Sequence, residues 1–155
     1  MIATSCSDMY KGCEDMPDQT VGTGEIINDA LILYTNLDPA TSHLILNSKE
    51  GQIITSDTEN IFGLEVSFDN KETCQPIDFS KYTVLGKNAN GDCKVVFDRN
   101  VTKHEEQQKY IYKIKLIHCG SCEKLVVDMN WVLVPKIEDD YSVEFIVDYK
   151  RWKGK

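Results

Sequence analysis

The chain has 155 residues, enough for one self-sufficient domain and cramped for two. Apolar residues make up 41% and charged residues 27%, ordinary proportions for a globule, which excludes disorder of the whole chain. A net charge of -8, from 25 acidic and 17 basic side chains, repels phosphate backbones and argues against nucleic-acid partners.

Residues 1–24 are polar and rich in Ser, Asp and Gly, with Pro17 and a Gly22-Thr23-Gly24 break, and read as a flexible lead-in or tether. Apolar runs start after it. Strands are expected at Ala30–Tyr34 and at residues 44–46, with Asp38-Pro39 turning the chain between them, and a short one at Ile53-Ile54. Ser56-Asp57-Thr58-Glu59 has the spacing of a capping box, in which Ser56 accepts from an amide and Glu59 reaches back. A short helix is therefore predicted over residues 57–62, with Gly63 ending it. It is the one helix expected.

The second half is more periodic. A strand over residues 82–85 is predicted to end at Gly86, and Asn88-Ala89-Asn90-Gly91-Asp92 to form a hairpin turn, since Asn-Gly accommodates the positive φ that tight hairpins need. A strand over 93–101 and a polar loop over 103–108 follow. Residues 109–118 then alternate: Tyr110, Tyr112, Ile114 and Leu116 share one face, with Lys113 and Lys115 on the other, the period of a sheet with one buried face. Leu125, Val127, Met129, Trp131 and Leu133 alternate likewise, with Asp128 and Asn130 opposite. Val143, Phe145 and Val147 make a last strand after a loop over 135–141. Short connections imply antiparallel pairing. The expected fold is mainly β, a single antiparallel β-sandwich or barrel-like domain over residues 25–150 with one short helix. A basic tail, 151–155, closes the chain; together with Lys150, its Arg151, Lys153 and Lys155 read as a solvated end. No segment approaches the ~20 apolar residues that span a bilayer.

Six cysteines are more than an average chain of this length carries, and without a clear redox or zinc motif they favour an oxidising compartment. Cys119-Gly120-Ser121-Cys122 has the spacing of a redox pair, but it falls between two strands rather than at the helix N-terminus that would lower a thiol pKa. A structural zinc on Cys74, Cys93, Cys119 and Cys122 lacks the second paired knuckle of a zinc ribbon. Disulfides explain the cysteines more simply. If the 93–101 and 109–119 strands pair around a turn centred between residues 105 and 106, Cys93 faces residue 118 and comes within reach of Cys119 or Cys122. A bridge from Cys93 to one of these is expected, with Cys74 or Cys13 taking the other.

No nucleophile motif, phosphate loop or metalloprotease motif occurs, so no catalytic residue, metal or cofactor is expected. Asn88, Asn90 and Asp92 have the odd-position spacing of a calcium loop without its closing acid, and Glu138, Asp139 and Asp140 form an acidic run; both read better as solvated loops. His104, beside Glu105 and Glu106, reads the same way. Because β-domains tend to carry function on loops, Asn88, Asn90, Asp92, His104, Asp139 and Asp140 are the candidate contact residues.

Two resemblances add to this. Met1-Ile2-Ala3-Thr4-Ser5-Cys6 places small residues directly before a cysteine and resembles the end of a bacterial lipoprotein signal, which implies a lipid on Cys6; the plain alternative is an ordinary cysteine near a flexible end. Ile77-Asp78-Phe79-Ser80-Lys81-Tyr82-Thr83-Val84-Leu85-Gly86, with Asn130-Trp131-Val132-Leu133-Val134-Pro135-Lys136 and Tyr141-Ser142-Val143-Glu144-Phe145, resembles small Gram-negative surface lipoproteins. More remotely, it is similar to the C-terminal domain of protease-complex accessory subunits, although their Gly-Gly-Tyr turn is missing here. These resemblances imply an extracytoplasmic protein, secreted or on the outer membrane or cell surface, touching membrane only through a lipid on Cys6. The expected function is a non-enzymatic binding module for a protein or small ligand. A protease inhibitor or accessory subunit, and a hydrolase with an unrecognised site, are the alternatives.

Overall fold

The computed structural model describes residues 13–17, 20–34, 50–69, 73–120 and 125–153, with the backbone alone for 125–127. The strand expected at 44–46, the Asp38-Pro39 turn, Cys6 and Cys122 lie outside these residues.

Among the described residues the chain is mainly β. Its strands are β1 (Thr23–Gly24), β2 (Ala30–Tyr34), β3 (Gln52–Ile54), β4 (Leu64–Phe68), β5 (Tyr82–Asp92), β6 (Lys94–His104), β7 (Lys109–Cys119), β8 (Leu125–Pro135) and β9 (Ser142–Arg151). They form three sheets, ordered β1-β6-β7-β9, β3-β5-β8 and β2-β4, none closed into a barrel.

The β3-β5-β8 sheet is the middle layer. One of its faces gives Leu85, Ala89, Val132 and Val134 to a core shared with Val101, Tyr112, Ile114 and Leu116 of the four-stranded sheet. The other gives Ile54, Val84, Met129, Trp131 and Leu133 to a core shared with Leu64 and Val66 of β4. Burial on both faces explains why 131–134 reads Trp-Val-Leu-Val without a polar break, whereas β7, with one face outward, alternates as its sequence predicts. The 77–86 and 130–136 stretches meet in this layer, since Tyr82 pairs with Pro135 and Gly86 with Trp131. Asp78 makes the turn into β5: its carboxylate accepts from the Ser80 amide at 3.0 Å and its carbonyl from the Lys81 and Tyr82 amides, each at 3.0 Å. Gly86 is needed where it stands, because a Cβ there would lie 2.3 Å from the Trp131 ring.

Three local expectations are corrected. Residues 88–92 are not a hairpin turn; β5 runs through them, paired along its length with β8. The chain turns at Cys93 instead, whose φ of 61° lets it leave the middle sheet and start β6 in the four-stranded one. Gly91 serves this corner by closeness, since its Cβ would meet Val95 at 2.9 Å and Leu116 at 3.0 Å. Successive strands are not all antiparallel: β6 and β7 form a hairpin, but β9 runs parallel to β7 and β1 parallel to β6. Residues 57–62 make turns rather than a helix. Ser56 Oγ does accept from the Glu59 amide at 3.3 Å, but Glu59 reaches back to Thr55, bonding its amide and hydroxyl at 2.8 Å each, and the cap closes on a single turn. The helical residues that do occur, a 3-10 turn at Glu105–Gln107, lie in the expected 103–108 loop.

Of the partners expected for Cys119, the structure has Cys13. Cys119 bridges Cys13, 106 residues away, not Cys93. The hairpin register places Lys94 opposite Cys119 and Val95 opposite His118, two residues off the predicted alignment, because the 3-10 turn and Gln108 lengthen the connection. Cys119 therefore points to the outer face of the four-stranded sheet, where it clusters with Val96, Met16 and Cys13. Cys93 is also disulfide-bonded and sits at the corner between β5 and β6. Cys74 is not bridged; it is an exposed free thiol beside β4, two layers away from Cys13 and Cys119. The lead-in has irregular backbone at 13–17, yet Met16 is buried there and Thr20 Oγ donates to the Phe97 carbonyl at 3.2 Å. The Cys13–Cys119 disulfide suggests an extracytoplasmic location. No helix among the described residues is long and apolar enough to cross a membrane.

Candidate ligand cleft

The two larger sheets are sealed on one side and open on the other. On the β3/β9 side, Gly51 lies so close to Phe145 that a Cβ would meet its ring at 2.2 Å. On the opposite side, β1 and β8 are the sheet edges, and the chain from Thr20 to Ile32 crosses between them. A cleft of about 490 Å3 lies under that crossing, within the size range of small-ligand sites.

Each wall of the cleft has a cause in the strand pattern. On β6, Phe97, Arg99 and Val101 oppose Leu116, Ile114 and Tyr112, so Arg99 projects from the inward face between two buried apolar side chains. On β8, Asp128 and Asn130 share the inward face with Val132 and Val134. Both Arg99 and Asp128 line the cleft, with no ion pair between them. Arg99 Nε is buried and has no hydrogen-bond partner among the described residues. Burial lifts the Asp128 carboxyl above its ordinary range, while the Arg99 charge and the Met129 amide pull it back. Between the sheets, the Tyr112 hydroxyl donates to the Asn130 carbonyl at 3.0 Å. Desolvation raises the Tyr112 pKa, so the phenol stays neutral. On the far wall the Trp131 indole N–H donates to the Tyr34 hydroxyl, and the two rings meet edge to face at 6.4 Å. Asn28 Nδ2 donates to the Gly22 carbonyl at 2.6 Å and ties the crossing segment together.

The edge of β8 itself forms the floor. The Leu133 carbonyl accepts from the Ile27 amide at 2.9 Å, so the Leu133 main chain points away from β5. Alternation gives the same outward direction to Trp131 and Met129. The Asp128 carboxyl takes the Met129 amide, and the Trp131 main chain has no backbone partner among the described residues. The mouth carries exposed Val21 and Leu31.

The residues singled out from sequence lie elsewhere. Asn88, Asn90 and Asp92 are strand residues of β5 rather than loop contacts, and Asn88 is only partly exposed. His104 is exposed at the end of β6, with Thr102 Oγ 3.0 Å from its Nε2. Asp139 and Asp140 are exposed in a loop, as expected, and Asp140 accepts from Gln108 Nε2 at 3.0 Å. That loop is locked to the β6–β7 hairpin. Glu138 binds Lys103 at 2.6 Å and accepts from the Tyr110 hydroxyl at 2.9 Å, and the Lys103 ammonium holds its carboxyl down at about 2. The structure brings none of these residues to the cleft. No group of three or more His, Cys, Asp or Glu that could hold a metal gathers among the described residues.

Arg99 and Asp128 escaped the sequence reading. The signal was there: each is a charged residue in register with an apolar, inward-facing set, Phe97 and Val101 in one case, Val132 and Val134 in the other. Comparison with family models, with curated proteins and with solved structures finds no match to this chain.

Proposed function

We propose that this chain is a non-enzymatic binding module of the cell envelope that takes its ligand in the cleft between β1 and β8. One observation carries the reading: a cleft of about 490 Å3 in which, among the described residues, a buried Arg99 Nε lacks a partner beside the unpaired main chain of Trp131. Buried polar groups are normally satisfied, so a site that keeps them open inside a concave surface is arranged for a guest. Exposed Val21 and Leu31 at the mouth add apolar contact. The Cys13–Cys119 disulfide and the lipoprotein-like run ending at Cys6 support a position outside the cytoplasm, anchored by lipid on Cys6.

The test is a screen of small soluble probes, namely amino acids, short peptides, monosaccharides and nucleobases, followed by amide and indole chemical shifts. At least one class is expected to move the signals of Asn28, Leu31 and Trp131, and filling the cleft with Ala30→Phe is expected to weaken that probe by about tenfold or more. Shifts confined to the 102–108 and 138–141 loops, with a silent cleft, would contradict the assignment.

A further inference from the structure

The chemistry of the cleft also says what kind of guest it fits, and this step rests on the cleft being the binding site. We infer that the ligand is an extended peptide segment ending in a free carboxylate, which adds as a short strand to the open edge of β8 and places its carboxylate on Arg99.

Three independent features converge on this guest. The first is the edge. Met129, Trp131 and Leu133 turn their main chains outward, Leu133 is held by Ile27, and the outward groups of Trp131 remain without a backbone partner among the described residues. A strand edge is recognised by another main chain, whose N–H and C=O alternate with the same period. Because Ile27 holds Leu133 and the Asp128 carboxyl takes the Met129 amide, the guest's main chain bonds at Trp131 and lies along the about 13 Å from Met129 to Leu133.

The second feature is charge. A guanidinium whose Nε is buried and without a partner among the described residues fits a carboxylate, which it can grip through two parallel N–H donors. Arg99 forms no ion pair with Asp128, although both line the cleft, and its Nε has no partner among the described residues. Asp128, across the cleft, takes the Met129 amide and has acceptor capacity for a second donor, an amide N–H or an ammonium. A peptide carries all of these groups on one backbone; a sugar presents neither a carboxylate nor alternating amides.

The third feature is the side walls. Strand side chains alternate to the two faces, and the cleft offers a different surface on each. The Tyr34 and Trp131 rings lie on one side, and Arg99, Asp128 and Asn130 on the other. The guest's side chains would then be read alternately as apolar and polar.

The experiment uses the intact, oxidised chain with trialanine, tetraalanine and their amidated and N-methylated forms, read by amide shifts and titration. The free tetrapeptide is expected to saturate shifts at Met129, Trp131 and Ile32. Amidating its C-terminus is expected to weaken it about tenfold, as is N-methylating the amide that meets Trp131, each removing one charge-assisted or main-chain hydrogen bond. Arg99→Gln should abolish the difference between free and amidated peptide; because both peptides are also compared on the unchanged protein, the proposal does not depend on that variant folding. Equal affinity of free, amidated and N-methylated peptides would overturn the strand-addition assignment. Cleft shifts with monosaccharides or nucleobases but not with peptides would overturn it while leaving the binding-module reading intact. Cleft silence with every probe would remove both.

Discussion

Removing the Cys13–Cys119 bridge with the double variant Cys13→Ala/Cys119→Ala is expected to lower stability by about 3–5 kcal/mol, because the disulfide closes a loop of 106 residues. In the chain-entropy account such a loop excludes many unfolded conformations, and the effect grows with the logarithm of its length. A domain of ordinary stability holds ~5–15 kcal/mol in total, so the loss is a large share. The structural consequence is local as well. Met16, Val96 and Cys119 form a small cluster on the outer face of the four-stranded sheet, and without the bridge the 13–17 segment is held there by apolar contact and the Lys94 ammonium on the Cys13 carbonyl, 3.4 Å away. The double variant is the right one, since a single alanine would leave a thiol able to attack the disulfide of Cys93. Urea unfolding checks it: the midpoint should fall and the slope should rise, because the freed unfolded chain exposes more surface. A midpoint equal to that of the parent protein would mean that the bridge is not formed or does not constrain the fold.

The second large effect is expected at Trp131. Its ring fills the space over Gly86, lies 5.2 Å from the Phe62 ring, and donates its indole N–H to Tyr34. Trp131→Ala removes a buried aromatic from the core between the middle sheet and β2-β4, and is expected to cost about 3–5 kcal/mol, part of it from the cavity left behind. It also leaves the partly buried Tyr34 hydroxyl without its donor. Trp131→Phe keeps most of the packing and is expected to cost clearly less. Thermal unfolding of the three proteins gives the ranking. If Trp131→Ala were as stable as Trp131→Phe, the ring would not be packed against Gly86 and Phe62 as described.

How much of this was legible in the sequence depends on which side chains faced water. The β7 face of Tyr110, Tyr112, Ile114 and Leu116 could be read directly, because Lys113 and Lys115 mark the opposite, outward face. The class of fold followed from such runs and is mainly β. What failed was connection. Asn90-Gly91 carries the strongest hairpin signal in the chain, yet here the glycine serves a corner where β5 and β6 part into different sheets, and the positive φ falls on Cys93. Antiparallel neighbours were assumed from short loops, but the 136–141 loop carries the chain from β8 in one layer to β9 in another, where β9 lies parallel to β7. The cysteine pairing was only partly legible for a related reason: the hairpin register lies two residues from the predicted alignment, and nothing local in the sequence announces which thiol returns to Cys119, a place that Cys13 takes. The cleft was invisible because it belongs to no loop. It arises where two sheet edges face each other, and although Arg99 and Asp128 each share a strand face with apolar residues, that signal alone does not bring the two strands' edges together.

The claim on which the site depends is that β8 is bonded to β5 on one edge and, among the described residues, open at Trp131 on the other, and amide hydrogen exchange tests it most directly. The even residues Asn130, Val132 and Val134 give their amides to β5 and should exchange slowly. The Trp131 amide between them faces the cleft and should exchange far faster than either neighbour. Protection of Trp131 equal to that of Asn130 and Val132 would show the edge already occupied, and the cleft could then take no strand.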